Sequence, residues 1–270
     1  MVSKKRLKHE NIVEADDLFS VDDYFNSINI LEPEPLPRFT ERLLQDYPDL
    51  AEMFLDIAVA RNRYEEGNFL SVYTVKNSFL DFSLRIASQF TGSEHRAYLR
   101  WFIDIVQEEP KTIVDIGCDN GVLTCAYAER FSGSNVIGID VCAEGIECAT
   151  ELAARLKLRN AHFYQASLDE YVATNNQNSS DLVTLTRVHE DLADNSDAFG
   201  KSIDHLLDST KGRLVCFEAL SASDFSSWLN LLSAAALVPE PEPSVIEFKF
   251  GGNDRLVNGM GCLMKRSTQM

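Results

Sequence analysis

The stretch Val114-Asp115-Ile116-Gly117-Cys118-Asp119-Asn120-Gly121 places two carboxylates and two glycines within eight residues, and a third carboxylate, Asp140, follows nineteen positions after Gly121. Carboxylates and glycines in this pattern suit the holding of a nucleoside. A glycine at a strand end lets the chain turn sharply and admits a ligand close to the backbone. A second glycine at the entry of a helix permits tight helix–strand packing. A carboxylate at the tip of the next strand can accept hydrogen bonds from both hydroxyls of a ribose, or it can cap the helix that follows.

These residues need a strand, a turn and a helix in that order, and the sequence supplies them. Thr112 to Ile116 is rich in β-branched residues and lies between Pro110 and Gly117, which reads as a buried strand. Gly117 to Gly121 is the turn. Val122, Ala126, Tyr127 and Phe131 then recur at helical spacing. Downstream, strands are expected at 135–140, 161–165, 181–187 and 212–218. Helices are expected at 145–158, 169–173, 198–207 and 225–236. The segments 244–250 and 255–265 alternate like a hairpin joined near Gly251-Gly252-Asn253-Asp254. Strands alternating with helices imply a parallel sheet covered on both faces.

Upstream, 39–107 carries helical signals alone, with Thr40 a candidate cap for the first helix and an apolar stripe from Val75 to Ile86. Before it, an acidic segment ends in Glu32-Pro33-Glu34-Pro35-Leu36-Pro37, whose alternating prolines oppose both helix and sheet. The expected organisation is an arm or linker over 1–37, a helical cap over 38–108 and an α/β domain over 109–270. The apolar residues Leu18, Phe19, Tyr24, Phe25, Ile28 and Ile30 make a short docked helix plausible within the arm.

From Lys111 to Lys265 the chain resembles the class I S-adenosylmethionine-dependent methyltransferases. The eight residues opening with Val114 are similar to that family's acidic-x-Gly-x-Gly-x-Gly signature, with Asp119 where the family has its middle glycine. The resemblance implies a Rossmann-like, doubly wound, seven-stranded sheet whose last strand is antiparallel, which agrees with the closing hairpin. It also implies S-adenosylmethionine as cofactor. Asp115, Gly117, Cys118, Asp119, Gly121 and Asp140 would hold that cofactor, with Val141, Ser167, Leu168 and Arg187 completing the site. Gln165-Ala166-Ser167-Leu168 looks like the family's segment at the adenine edge, where Ser167 replaces an aspartate and Leu168 and Val141 would sandwich the ring. A turn role for Ser167 and core roles for the other two are the plain alternatives.

A nicotinamide dinucleotide is the competing ligand for such a sheet. Its G-x-G-x-x-G fingerprint would need glycine at Asp119 and a small residue at Val122. A carboxylate beside the pyrophosphate would also be unfavourable, whereas the ammonium and sulfonium of S-adenosylmethionine tolerate Asp115 and Asp119.

After the fourth strand, Thr186-Arg187-Val188-His189-Glu190-Asp191-Leu192 is similar to the stretch that borders the methyl-transfer site in small-molecule methyltransferases. His189, with Glu190 second, is the candidate general base, needed where the acceptor must lose a proton. Tyr64, Asn68, Tyr73, Asn77 and Phe82 of the helical block are candidate pocket residues. A non-catalytic methyltransferase-like binding or regulatory protein is the alternative to an enzyme.

Composition sets the outer limits. The chain has 270 residues, 45% hydrophobic and 25% charged, which allows one large α/β domain with additions or two small domains. A formal net charge of -17 argues against a broad nucleic-acid face; it leaves a small-molecule acceptor first and a basic protein segment second. No apolar run is long enough for a membrane span. The basic start, Met1 to His9, runs into acidic residues rather than an apolar core, unlike a secretory signal. The six cysteines have no C-x-x-C spacing and read as buried hydrophobes of a reducing, cytoplasmic protein with no metal site.

Overall fold

The run Thr112–Ile116 forms β1, with Ile113 to Ile116 all buried, in the middle of a mixed sheet. The structure is a computed structural model and describes residues 19–62, 69–175, 179–188, 196–207, 211–219, 222–233, 237–240, 242–249 and 256–266. Among the described residues, six helices precede β1: α1 (Val21–Ser27), α2 (Leu36–Asp46), α3 (Pro48–Asn62), α4 (Phe69–Lys76), α5 (Leu80–Phe90) and α6 (Gly92–Ile105). After it come α7 (Val122–Arg130), β2 (Asn135–Asp140), α8 (Ala143–Leu156), β3 (Ala161–Gln165), α9 (Leu168–Thr174) and β4 (Leu182–Thr186). Then follow α10 (Ser196–Leu206), β5 (Arg213–Glu218), α11 (Ala222–Ser233), β6 (Leu237–Pro239), β7 (Ser244–Lys249) and β8 (Leu256–Arg266).

The strand order is β3-β2-β1-β4-β5-β8-β6, with β7 also paired to β8. The first five of these run parallel, and β8 lies antiparallel against β5 with Cys216 opposite Cys262. β7 pairs with residues 256–261 of β8 and β6 with residues 264–266, so the two short strands share one column at the sheet's edge. The doubly wound sheet and its antiparallel last strand are as the sequence led us to expect, but the sheet has eight strands rather than seven, the extra one being β6. Three residues are too few to show a strand pattern, so β6 had no legible signal. The hairpin's turn, 251–254, lies outside the described residues.

The strand order reverses beside β1, between β2 on one side and β4 on the other. Such a reversal opens a crevice at the strands' carboxyl ends, where ligands of open α/β sheets bind. Alternate β1 residues serve opposite cores. Ile113 packs with α1, α6, α7 and α8 through Phe25, Tyr98, Phe102, Tyr127 and Leu152. Val114 and Ile116 pack with α9, α10 and α11 through Tyr171, Ile203, Phe225 and Trp228. A third, smaller core holds α2 to α5 together around Phe39, Leu43, Phe54, Phe82 and Ile86.

The residues before the cap dock firmly. Tyr24, Phe25, Ile28 and Ile30 are buried in the main core, and the Tyr24 hydroxyl donates to the carbonyl of Val122. Ser88 and Gln89 of α5 then bind the passing backbone as a strand would. Leu31 N donates to Ser88 Oγ, which itself donates to Leu31 O, while Gln89 does the same for both main-chain groups of Glu34. The prolines do not prevent a helix here. α2 begins at Leu36 with Pro37 in its first turn, where a missing N–H costs nothing, so Thr40 is internal to the helix and does not cap it. No helix among the described residues is long and apolar enough to cross a membrane.

Candidate functional site

Local rules at the end of β1 bring three carboxylates to the crevice. Gly117 N and Cys118 N both donate to the carbonyl of Ile139, at 2.9 and 3.1 Å, which ties the turn after β1 to the end of β2. Gly117, Asp119 and Gly121 all have positive φ, at 73°, 48° and 75°. Glycine adopts that region freely, and aspartate is among the few other residues that tolerate it. Asp119 therefore adopts, at this point of the turn, the left-handed backbone that a glycine takes freely. At Gly121 a Cβ would lie 2.6 Å from that of Ala149, so this glycine's close approach is to α8. The space beside Gly117, expected to admit a ligand, is filled by the side chain of Val188.

Asp140, at the tip of β2, accepts from Asp119 N through Oδ2 and from Cys142 N through Oδ1, both at 2.8 Å. The glycine bend and the acidic tip thus face one another across a single hydrogen bond. Each oxygen keeps a lone pair for a ribose hydroxyl. Burial raises the Asp140 carboxyl, an effect its hydrogen bond from Cys142 opposes. Beside it Val141 is 57% exposed, a large apolar side chain at the mouth that suits an adenine face. Ala166 N donates to the carbonyl of Asp140, which brings the segment after β3 to the same place.

Asp115 serves differently from its neighbours. Its buried carboxylate accepts from Thr124 Oγ1 at 2.5 Å and Thr184 Oγ1 at 2.7 Å, joining β1, α7 and β4. Burial pushes it up to about 6 against these two hydrogen bonds. Ser167 caps α9: its hydroxyl accepts from Glu170 N, and Glu170 Oε2 accepts from Ser167 N. Leu168 is buried in the core beneath the sheet. Cys118 is buried, and burial among carboxylates raises its thiol well above the ordinary value. All six cysteines are free and buried. Arg187 has a φ of 61°, and its guanidinium turns toward Glu94 at 3.5 Å. His189, Glu190, Tyr64 and Asn68 lie outside the described residues.

The helical cap contributes Asn77, a candidate from the sequence, together with Lys76, Glu94 and His95, which the sequence did not single out. Lys76, at the end of α4, pairs with Asp119 Oδ2, and Asn77 Nδ2 donates to Asp119 Oδ1 at 2.6 Å. Asn77 is itself held by Ser83, and Ser83 by Asn120 of the glycine turn, in a buried chain of hydrogen bonds. At the start of α6, Glu94 is 3% exposed and its Oε1 has no hydrogen-bond partner beyond the ion pair with Arg187; His95 Nδ1 is likewise buried and unpartnered. Burial pushes His95 down to about 3, helped by the positive charge of Lys76. Burial raises Glu94 against the pull of Arg187.

A doubly wound sheet with this reversal, glycine bend and acidic tip defines a nucleoside-binding α/β domain, and the family comparison fixes its kind. Residues 107–227 match the family model described as a methyltransferase domain. Over those residues the chain carries a methyltransferase domain, with S-adenosylmethionine as its methyl donor. The free lone pairs of Asp140 and the exposed Val141 beside the turn after β1 are compatible with that cofactor's adenosine. No curated protein matches the chain by sequence. Among solved structures, a provisionally assigned O-methyltransferase of Nostoc punctiforme PCC 73102 has 16% identity and a TM-score of 0.53, covering 82% of this chain and 71% of its own. The YcgJ protein of Bacillus subtilis has 14% identity and a TM-score of 0.52, over 65% of this chain and all of its own. The StiE O-MT fragment, residues 942–1257, has 15% identity and a TM-score of 0.51, over 68% and 82%. At these identities the likeness is one of fold.

Proposed function

We propose that this protein methylates a small molecule, in a reducing, cytoplasmic setting. The observation that carries the reading is the pair of sealed polar atoms, Glu94 Oε1 and His95 Nδ1, beneath the cap and beside Arg187 at the end of β4. Buried polar atoms require partners, and a bound acceptor supplies them. An acceptor that meets groups this deep is enclosed by the cap, which favours a small molecule over a protein segment or a nucleic acid. The net charge of -17 works against a polyanion as well.

S-adenosylmethionine, when bound, supplies an electrophilic methyl group. The chain's own part is to position the acceptor atom in line with it and exclude water. Asp140 and the backbone around Asp119 orient the adenosine. His95, kept neutral, offers a ring nitrogen to a hydroxyl proton, and the Glu94–Arg187 pair fixes the acceptor's polar end. His189 or Glu190 would assist from the segment after β4.

The test uses methyl-labelled S-adenosylmethionine with a cell extract divided by ultrafiltration. Label recovered in the low-mass fraction is the expected result, and label confined to protein or nucleic acid overturns the small-molecule reading. Tight binding of S-adenosylhomocysteine with no label moved to any fraction would instead favour a non-catalytic binding protein.

A further inference from the structure

We propose that Lys76 binds the α-carboxylate at the methionyl end of the cofactor, and that its ion pair with Asp119 is the resting form of a two-part clamp for that end. The inference rests on the methyltransferase reading and names a residue of the cap as part of the cofactor site.

Three observations converge. First, the ammonium of Lys76 is placed beside the ribose position. It pairs with Asp119, whose main-chain N binds Asp140 at 2.8 Å, and its side chain is 12% exposed. The groups facing it are Asp119, Asp140, the Tyr73 ring at 5.4 Å and a neutral His95. Secondly, Lys76 is the cation paired directly to the glycine turn, whereas Arg187, the other cation near this group, lies 3.5 Å from Glu94 of α6. Thirdly, Asp119 is held from a second side. Asn77, Ser83 and Asn120 form a buried chain that fixes Asp119 Oδ1, whereas the Lys76 ammonium meets Asp119 Oδ2 at the end of a four-carbon stem with rotatable bonds.

The methionyl end is a zwitterion. A buried charge must be paired, so a carboxylate arriving without a cation would be expelled. With Lys76 moving off Asp119 and onto that carboxylate, Asp119 is released to take the α-ammonium. One ion pair becomes two and no charge is stranded. An aspartate at the middle-glycine position, paired to a lysine from the cap, is thereby a built receptor for both charges.

Calorimetry with three ligands tests this: S-adenosylhomocysteine, its decarboxylated analogue S-adenosyl-3-thiopropylamine, and 5′-methylthioadenosine. The wild type should prefer S-adenosylhomocysteine over the decarboxylated analogue by about tenfold or more, the scale of one charge-assisted hydrogen bond. Lys76→Met should erase that preference and leave methylthioadenosine affinity unchanged. Lys76→Arg and Asp119→Asn, which keep the cation, should retain it, and they carry the test if the methionine variant fails to fold. A Lys76→Met protein that still discriminates, or a Lys76→Arg protein that does not, overturns the proposal. If the wild type binds none of the three ligands, the cofactor assignment itself fails and takes this inference with it.

Discussion

Two buried titratable groups of opposite sense make acid stability a sharp test of the site. His95 is pushed from 6.5 down to about 3 by burial and by Lys76, while Asp115 is pushed from 3.8 up to about 6 by burial. Between those limits the folded protein holds fewer protons on His95 than the unfolded chain does. The stability His95 contributes is whole above pH 6.5 and is lost as pH falls toward 3. Asp115 behaves inversely: its folded state holds the proton, so its contribution is whole below pH 3.8 and is lost as pH rises through about 6.

From pH 7 to pH 5 these shifts correspond to a loss of about 2 kcal/mol through His95 and a gain of about 1 kcal/mol through Asp115. The two partly offset one another in the wild type, which should lose about 1 kcal/mol on balance. Urea unfolding followed by tryptophan fluorescence at both pH values, at constant ionic strength, separates them. His95→Gln should gain stability on acidification by about 1 kcal/mol, because only Asp115 remains. Asp115→Asn should lose about 2 kcal/mol, because only His95 remains. Other carboxylates contribute alike to all three proteins and drop out of the comparison. If both variants follow the wild-type slope, neither group is buried as described, and the reading of His95 as a neutral acceptor-side group falls with it.

Asp140→Ala should weaken S-adenosylhomocysteine binding by about 1 to 3 kcal/mol in calorimetry, the scale of hydrogen bonds to a charged acceptor; an unchanged affinity removes Asp140 from the site. Gly121→Ala should lower stability by about 2 kcal/mol or more, since it combines a left-handed backbone with overpacking. The new methyl would meet Ala149 of α8 at 2.6 Å, and an unaltered urea midpoint would show that α7 and α8 do not pack as described.

What the sequence revealed follows from what is local. A five-residue β-branched run, a glycine turn and an apolar helical stripe are written in consecutive residues, so β1, the turn and α7 lie where their pattern puts them. Asp119 and Asp140 come together because β1 and β2 are parallel neighbours in register, which the alternation of strands and helices already implied. Lys76 and Glu94 lie far from the glycine turn in sequence, and no periodicity encodes a contact at that separation. Ser167 shows the limit from the other side. Its position after β3 agreed with a ligand role, yet Glu170 three residues on completes a capping box, and that local pattern accounts for its hydroxyl.

The cap's place in the molecule follows from where its side chains are buried. Tyr98, Leu99 and Phe102 of α6 share one core with β1 and α7, and Tyr98 meets Tyr127 through their hydroxyls at 2.9 Å. α4 and α5 rest on α8, the helix that Gly121 also touches. A cap fixed this way cannot leave without unpacking the sheet's own core. Entry of cofactor and acceptor therefore has to come from smaller motions, and the end of α4 is suited to one. There, on the clamp proposed above, one lysine paired to one carboxylate would close the site beside a turn that Asn77, Ser83 and Asn120 hold from the cap side. Exchange of that ion pair moves one side chain, leaves three helices in place and couples the cap to the cofactor at Asp119, the residue where this chain departs from its family's glycine.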